Sequence, residues 1–106
     1  MPKFMVIGSY TNEGLKGLAK EGGTGRREAS RKAIESAGGK LDAMYFAFGE
    51  DDFFVVADFP DAAAAAAVAV TAQESDAVSS KMVLLMTPEE VDAAMKKHIE
   101  FRAPAA

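Results

Sequence analysis

The chain contains no cysteine and no tryptophan, and His98 is its only histidine. The lack of cysteine excludes disulfides, thiolate metal sites and cysteine nucleophiles. A single histidine also excludes a metal site built on several histidines within one subunit. We therefore predict neither a metal site nor a cofactor.

Positive charge is in deficit, and long hydrophobic runs are absent. The formal net charge is −4, with both signs mixed along the chain, so no broad cationic surface is expected for a nucleic-acid backbone. The alanine-rich run "AAAAAAVAV" is too short and too weakly hydrophobic to span a membrane. The opening "MPKFMVIGSYTNEG" is too brief for a secretory signal. We expect a soluble cytoplasmic protein with neither a nucleic acid nor a membrane as partner.

A length of 106 residues suits one domain, residues 1–106, of which 98–106 are expected to fray. Patterns rich in β-branched and aromatic residues predict strands over 3–10, 40–48, 52–59 and 77–86. Helices are predicted over 24–37, 60–75 and 87–98. Pro60 and Asp61 are the start signal of the second helix, and Thr87 is the expected N-cap of the third. Five glycines between residues 11 and 25 predict an irregular segment with at most a turn or two of helix.

This order of elements predicts an α+β fold of the ferredoxin-like type, with a four-stranded antiparallel sheet, βαββαβ topology and an extra C-terminal helix. In the third strand Phe53 and Val55 point to one face while Phe54 and Val56 point to the other, so both sheet faces are apolar. Two helices cover only one face. We therefore predict a homodimer or higher oligomer that pairs the open faces into an α+β barrel. The alternative is a monomer in which the third helix folds back over the open face.

Three segments, "SYTNEGLKGLAKEGGTGRREA", "GGKLDAMYFAFGEDDFFVV" and "FPDAAAAA", resemble the GYD domain family, from Lys3 to about Pro88. In the Gly-Tyr-Asp signature Gly49 matches the glycine and Asp52 the aspartate, whereas Asp51 takes the place of the tyrosine. No role of that tyrosine hydroxyl therefore carries over. The resemblance implies kinship with dimeric α+β barrels, which include cofactor-free monooxygenases, isomerases and ligand-sensing domains, but it assigns no reaction.

The acidic run Glu50, Asp51 and Asp52 lies between the second and third strands. Adjacent residues of a strand point to opposite faces, so these carboxylates converge poorly on a cation and instead indicate a hairpin turn. Asp52 directly precedes a buried strand and is the one acid expected to turn inward as an acid or base.

The segment "EGGTGRREA" places Arg26 and Arg27 after glycines at a helix start, where guanidinium groups and free N–H groups could bind a carboxylate or phosphate. The alternative is a mobile surface loop with solvated charges. His98, beside two lysines at the end of the last helix, is expected to interact with the helix dipole.

Polar side chains on the strands complete the candidate set. Tyr10, Tyr45 and Asp52 are the candidate catalytic residues, although tyrosines commonly lie at the edge of a core. The candidate ligand-binding residues are Arg26, Arg27, Ser9, Phe46, Phe48 and Met82.

These patterns favour an oligomeric domain that binds a small molecule or a protein. The alternative is a cofactor-independent enzyme, a monooxygenase or isomerase acting on an aromatic or carbonyl compound. A mostly apolar cavity touching Tyr10, Tyr45 or Asp52 would favour a ligand binder or an enzyme, and a filled core would favour protein association.

Overall fold

The computed structural model describes residues 1–105 and contains four strands and three helices. The elements are β1 (Lys3–Tyr10), α1 (Asn12–Ser36), β2 (Lys40–Phe46), β3 (Phe53–Asp58), α2 (Ala62–Glu74), β4 (Val78–Leu85) and α3 (Pro88–Met95). The predicted strands are confirmed to within two residues at each end.

The four strands form one antiparallel sheet in the order β2-β3-β1-β4. Strand β1 lies in the middle, where Val6 pairs with Val55 on one side and Met82 on the other. The hairpin predicted between β2 and β3 is present, with an irregularity between Leu41 and Ala43. The predicted ferredoxin-like fold is therefore confirmed.

The irregular segment predicted between residues 11 and 25 is wrong, because α1 begins at Asn12. Thr11 caps the helix by accepting the Gly14 N–H at 3.2 Å, and a Cβ atom at Gly14 would collide with the carbonyl oxygen of Ala77. Glycine therefore serves close packing here. The backbone breaks only at Gly22, whose φ of 78° and ψ of 168° suit glycine alone.

Helix α2 begins where proline and aspartate predict it. The Asp61 side chain accepts the Ala64 N–H at 2.8 Å, which satisfies one of the free donors of the first turn. One side of the alanine run faces the sheet, with Ala65 fully buried, while Ala63 and Ala66 are exposed. The short side chain of Ala65 lets α2 approach the sheet closely, and alanine also has the highest helix propensity.

The core lies between the sheet and the helices α1 and α2. Its buried members are Phe4, Ile34, Leu41, Phe53, Val55, Ala57, Phe59 and Ala65. Phe59 is the largest fully buried side chain, and its ring meets that of Phe4 edge-on at 6.0 Å. The predicted division of β3 into two faces is confirmed, because Phe53 and Val55 are buried while Phe54 and Val56 are only partly so.

The opposite sheet face stays partly open, and Tyr45 on it is 70% exposed. Helix α3 does not fold back over it as the monomer alternative required, since it packs far less against the sheet than α1 and α2 do. Val91 and Met95 remain exposed on α3. The helix ends at Met95, which is three residues earlier than predicted, and leaves His98 beyond its end.

Candidate functional site

A cavity of about 720 Å³, partly open to solvent, lies between the sheet and the two helices α1 and α2. Most of its walls are apolar or small side chains: Val6, Met44, Phe53, Val55 and Phe59 from the sheet side, Ala29, Ala33 and Ile34 from α1, and Ala65, Val68, Ala69 and Ala72 from α2. The space exists because the helices present alanine where a larger side chain would fill it. Its volume lies within the range of small-molecule sites, roughly 300–1,000 Å³.

The polar groups on this mostly apolar wall include Tyr10, Arg26, Glu21 and Glu13. Tyr10 ends β1, is half-buried, and its ring is tilted against that of Phe53 at 5.1 Å. Arg26 follows the break in α1, with its Nη1 atom 3.6 Å from Oε2 of Glu21. The cavity therefore combines an apolar body with a small charged region.

Arg26 contains one unsatisfied donor. Its Nε atom is buried and has no hydrogen-bond partner among residues 1–105. Such a donor loses its hydration without a replacement bond, at a cost of about 1–3 kcal/mol. Within the described chain, this donor is therefore left without an acceptor.

The Tyr10 hydroxyl is kept in its protonated form at neutral pH. Burial raises the pKa of Tyr10 above its ordinary value of 10.0, while the positive charge of Arg26 acts in the opposite direction. The negative charges of Asp52 and Glu21 add to the increase in this pKa. Tyr10 is consequently suited to donate a hydrogen bond, and poorly suited to abstract a proton.

Asp52 turns inward as expected, but its carboxylate is occupied by the backbone. Its Oδ2 atom accepts the Tyr10 N–H at 2.9 Å, while its own N–H donates to the Gly8 carbonyl at 2.8 Å. Asp52 does not line the cavity. It fixes the end of β1 against the hairpin and thereby positions Tyr10.

The other predicted residues are divided between the two faces of the sheet. Phe46 and Met82 pack against the core on the helix side, although neither lines the cavity. Phe48 is exposed and stacks on Phe46 at 6.1 Å. Tyr45 lies on the open face, and Ser9 lies beside a smaller recess that is also lined by Asp51 and Lys81.

The two arginines of the glycine-rich segment are separated by the helix. Arg26 lines the cavity, whereas Arg27 is exposed and has its Nε atom 3.8 Å from Oε1 of Glu28. Successive helical residues point about a quarter-turn or more apart, so only one of them can reach the sheet side. Glu21 and the cavity-lining alanines are absent from the predicted site, although the four-residue spacing of Ala29 and Ala33 does mark a sheet-facing stripe.

Within residues 1–105, no cluster of three or more acidic or histidine side chains is placed to hold a metal ion. None of the helices in this described part has both the length and the hydropathy of a membrane span.

Comparison with known proteins identifies the family of the chain. The model of the GYD domain family matches residues 4–95. No curated protein and no solved structure gives a significant match to the chain. Since the family model covers most of the sequence, the chain belongs to the GYD domain family.

Proposed function

We propose that this domain binds a small, largely apolar molecule in the cavity between the sheet and the helices α1 and α2. The observation that supports this proposal is the cavity itself, which measures about 720 Å³ and is lined by five of the eight buried core residues. Native interiors seldom leave space much larger than a water molecule. A cavity of this size with convergent polar groups is typical of a ligand site.

Binding is better supported than catalysis. Of the three candidate catalytic residues, Tyr45 lies on the open face and the Asp52 carboxylate is bonded to the backbone. Only Tyr10 lines the cavity, and its raised pKa keeps the hydroxyl protonated. The cavity therefore has hydrogen-bond donors but lacks a well-placed base among the candidates.

Titration of the isotopically labelled protein with octanol, a neutral apolar probe, tests the site by nuclear magnetic resonance. We expect amide shifts that saturate and cluster around the cavity. Ala69→Phe places a ring in the cavity and should abolish them. Ala66→Phe is the matched control, because Ala66 is exposed on the same helix and does not line the cavity. Saturable octanol binding that Ala69→Phe leaves unchanged, or no binding by the wild type, would refute the proposal.

We also propose that the domain associates with a second copy through the open sheet face. Met5, Ile7, Phe54 and Val56 form adjacent cross-strand pairs there, so their apolar side chains are contiguous. Val83, 41% exposed, extends this surface onto β4. Contiguous apolar surfaces of this kind on a soluble domain typically mark an interface, and a second copy offers the same self-complementary face.

Sedimentation at micromolar concentration tests this association. The wild type should sediment as a dimer or larger, and Val83→Glu should shift it towards the monomer by placing a charge in the interface. Val70→Glu is the matched control, because Val70 is 54% exposed on α2, away from the open face. A monomeric wild type, or equal effects of the two substitutions, would contradict the open face as the interface.

A further inference from the structure

We propose that Arg26 makes the cavity selective for apolar organic acids, by pairing its guanidinium with the single carboxylate of the ligand. This inference rests on the proposed binding function and adds the chemistry of the bound group. In this arrangement the hydrocarbon part of the ligand occupies the alanine-lined space, and its carboxylate lies beside Arg26.

Arg26 carries an unsatisfied hydrogen-bond donor. The Arg26 side chain is about two-thirds buried, with 32% of its surface exposed, and its Nε atom has no acceptor within residues 1–105. A carboxylate can take two parallel hydrogen bonds from the edge of a guanidinium. A ligand with that group would satisfy Nε once the side chain turns this edge towards the cavity, whereas a neutral hydrocarbon would leave it unpaired.

The ion pair between Arg26 and Glu21 is weak. Nη1 of Arg26 and Oε2 of Glu21 are 3.6 Å apart, and the Glu21 side chain is 44% exposed. Ion pairs that are this exposed contribute little to stability, about 0–1 kcal/mol. Glu21 therefore leaves the guanidinium available, and its negative charge opposes the approach of any anion.

The balance of charge points to a monoanion. Two carboxylates line the same cavity, Glu21 and Glu13, of which Glu13 is the more exposed and lies beside Lys16. A dianionic phosphate would meet one guanidinium and two carboxylates, so its second charge would be opposed without compensation. A carboxylate carries one charge and matches the planar fork of arginine.

The backbone of α1 places Arg26 at this position. The break at Gly22 starts a new helical segment, and Arg26 lies in the first turns of that segment. The positive end of the segment dipole adds modestly to the attraction of an anion. Tyr10 lies close enough to Arg26 for the guanidinium, by its charge and by a hydrogen bond, to act against the rise in the Tyr10 pKa, and its protonated hydroxyl offers a further donor.

Calorimetric titration with octanoate and octanol at neutral pH tests the inference, because the two probes share a chain and differ in the charged group. The wild type should bind octanoate about tenfold or more tightly than octanol, which is the effect of one charge-assisted bond. Arg26→Met keeps much of the side-chain volume and should remove this preference while octanol still binds. Arg27→Met is the matched control and should keep the preference, since Arg27 is exposed and does not line the cavity.

A second variant covers the case in which Arg26→Met fails to fold. Glu21→Gln removes the opposing charge and should increase octanoate affinity several-fold while leaving octanol affinity unchanged. Octanol binding without a preference for octanoate would overturn the role of Arg26 and leave the proposed function standing. A preference that survives Arg26→Met would also overturn it. Binding of neither probe would instead refute the proposed function.

Discussion

Replacing Asp52 with alanine should destabilise the fold by about 1.5–3 kcal/mol, the usual worth of a hydrogen bond to a charged group together with the cost of leaving its partner unpaired. The Asp52 carboxylate accepts the Tyr10 N–H at 2.9 Å, and Tyr10 is half-buried, so water can only partly replace the lost acceptor. The backbone bonds of Asp52 to Gly8 and Ala47 are unaffected by the substitution. The loss therefore measures the side chain alone.

Urea unfolding followed by circular dichroism gives the free energy of unfolding for each variant. Asp52→Asn retains an acceptor oxygen without the charge and should lose less stability than Asp52→Ala. Asp51→Ala, in the adjacent turn, is the control and should stay within about 0.5 kcal/mol of the wild type. Hydrogen exchange at the Tyr10 amide should accelerate only when Asp52 is changed. Equal stability of Asp52→Ala and the wild type, with unchanged exchange at Tyr10, would refute the anchoring role.

Three further predictions concern the helix break, the buried tyrosine and the last helix. Gly22→Ala should lower the free energy of unfolding in urea by about 1–3 kcal/mol through backbone strain alone, since open space surrounds Gly22. An unchanged urea midpoint would mean that the break in α1 can rearrange. Burial raises the pKa of Tyr10, so the folded state keeps the Tyr10 proton to a higher pH than the unfolded state does. The contribution of Tyr10 to stability is therefore fully present below its ordinary pKa of 10.0, and it is lost as the pH rises from there through the pKa of the folded state. Ultraviolet titration of Tyr45→Phe, in which Tyr10 is the only tyrosine left, should show this delayed ionisation. Ionisation of that variant at the ordinary pKa of 10.0 would contradict the assignment. Thr87→Ala removes the cap whose hydroxyl accepts the Glu90 N–H at 3.1 Å, so hydrogen exchange in α3 should accelerate. The global free energy of unfolding should stay within about 0.5 kcal/mol of the wild-type value, because α3 packs little against the rest of the domain. A large loss of global stability would contradict that independence.

Much of the fold could be predicted because its signals are local. Alternation in β3 and the caps at Asp61 and Thr87 depend on neighbouring residues, and the structure confirms each of them. The glycines of α1 led to a wrong prediction, because the need for glycine there comes from a contact with a residue that is distant in sequence. Gly14 lies where α1 meets the backbone of Ala77, 63 positions away in the numbering of the chain.

The candidate site was predictable only in part. Arg26 and Tyr10 belonged to the predicted set, and the structure places both on one cavity. Arg26 and Arg27 both lie within the predicted helix 24–37 and were both kept as candidates. Arg26 precedes Ala29 by three residues and so shares the side of the alanine stripe, a helical spacing that could have separated the two arginines but was not used. The hydrogen bond between Asp52 and the end of β1 depends on strand pairing between residues that are distant in sequence.

By itself, the sequence determined the order of strands and helices, the two apolar faces of β3 and the absence of cysteine chemistry, since each depends on composition or short-range spacing. Only the tertiary structure decided that an alanine-lined space remains between the sheet and its helices, because the volume depends on how closely those layers approach. It also decided that Arg26 lines that space with its Nε donor unpaired, and that the Asp52 carboxylate accepts the Tyr10 N–H. Which atoms are free for a ligand depends on the partners that folding supplies, and those partners come from distant parts of the chain.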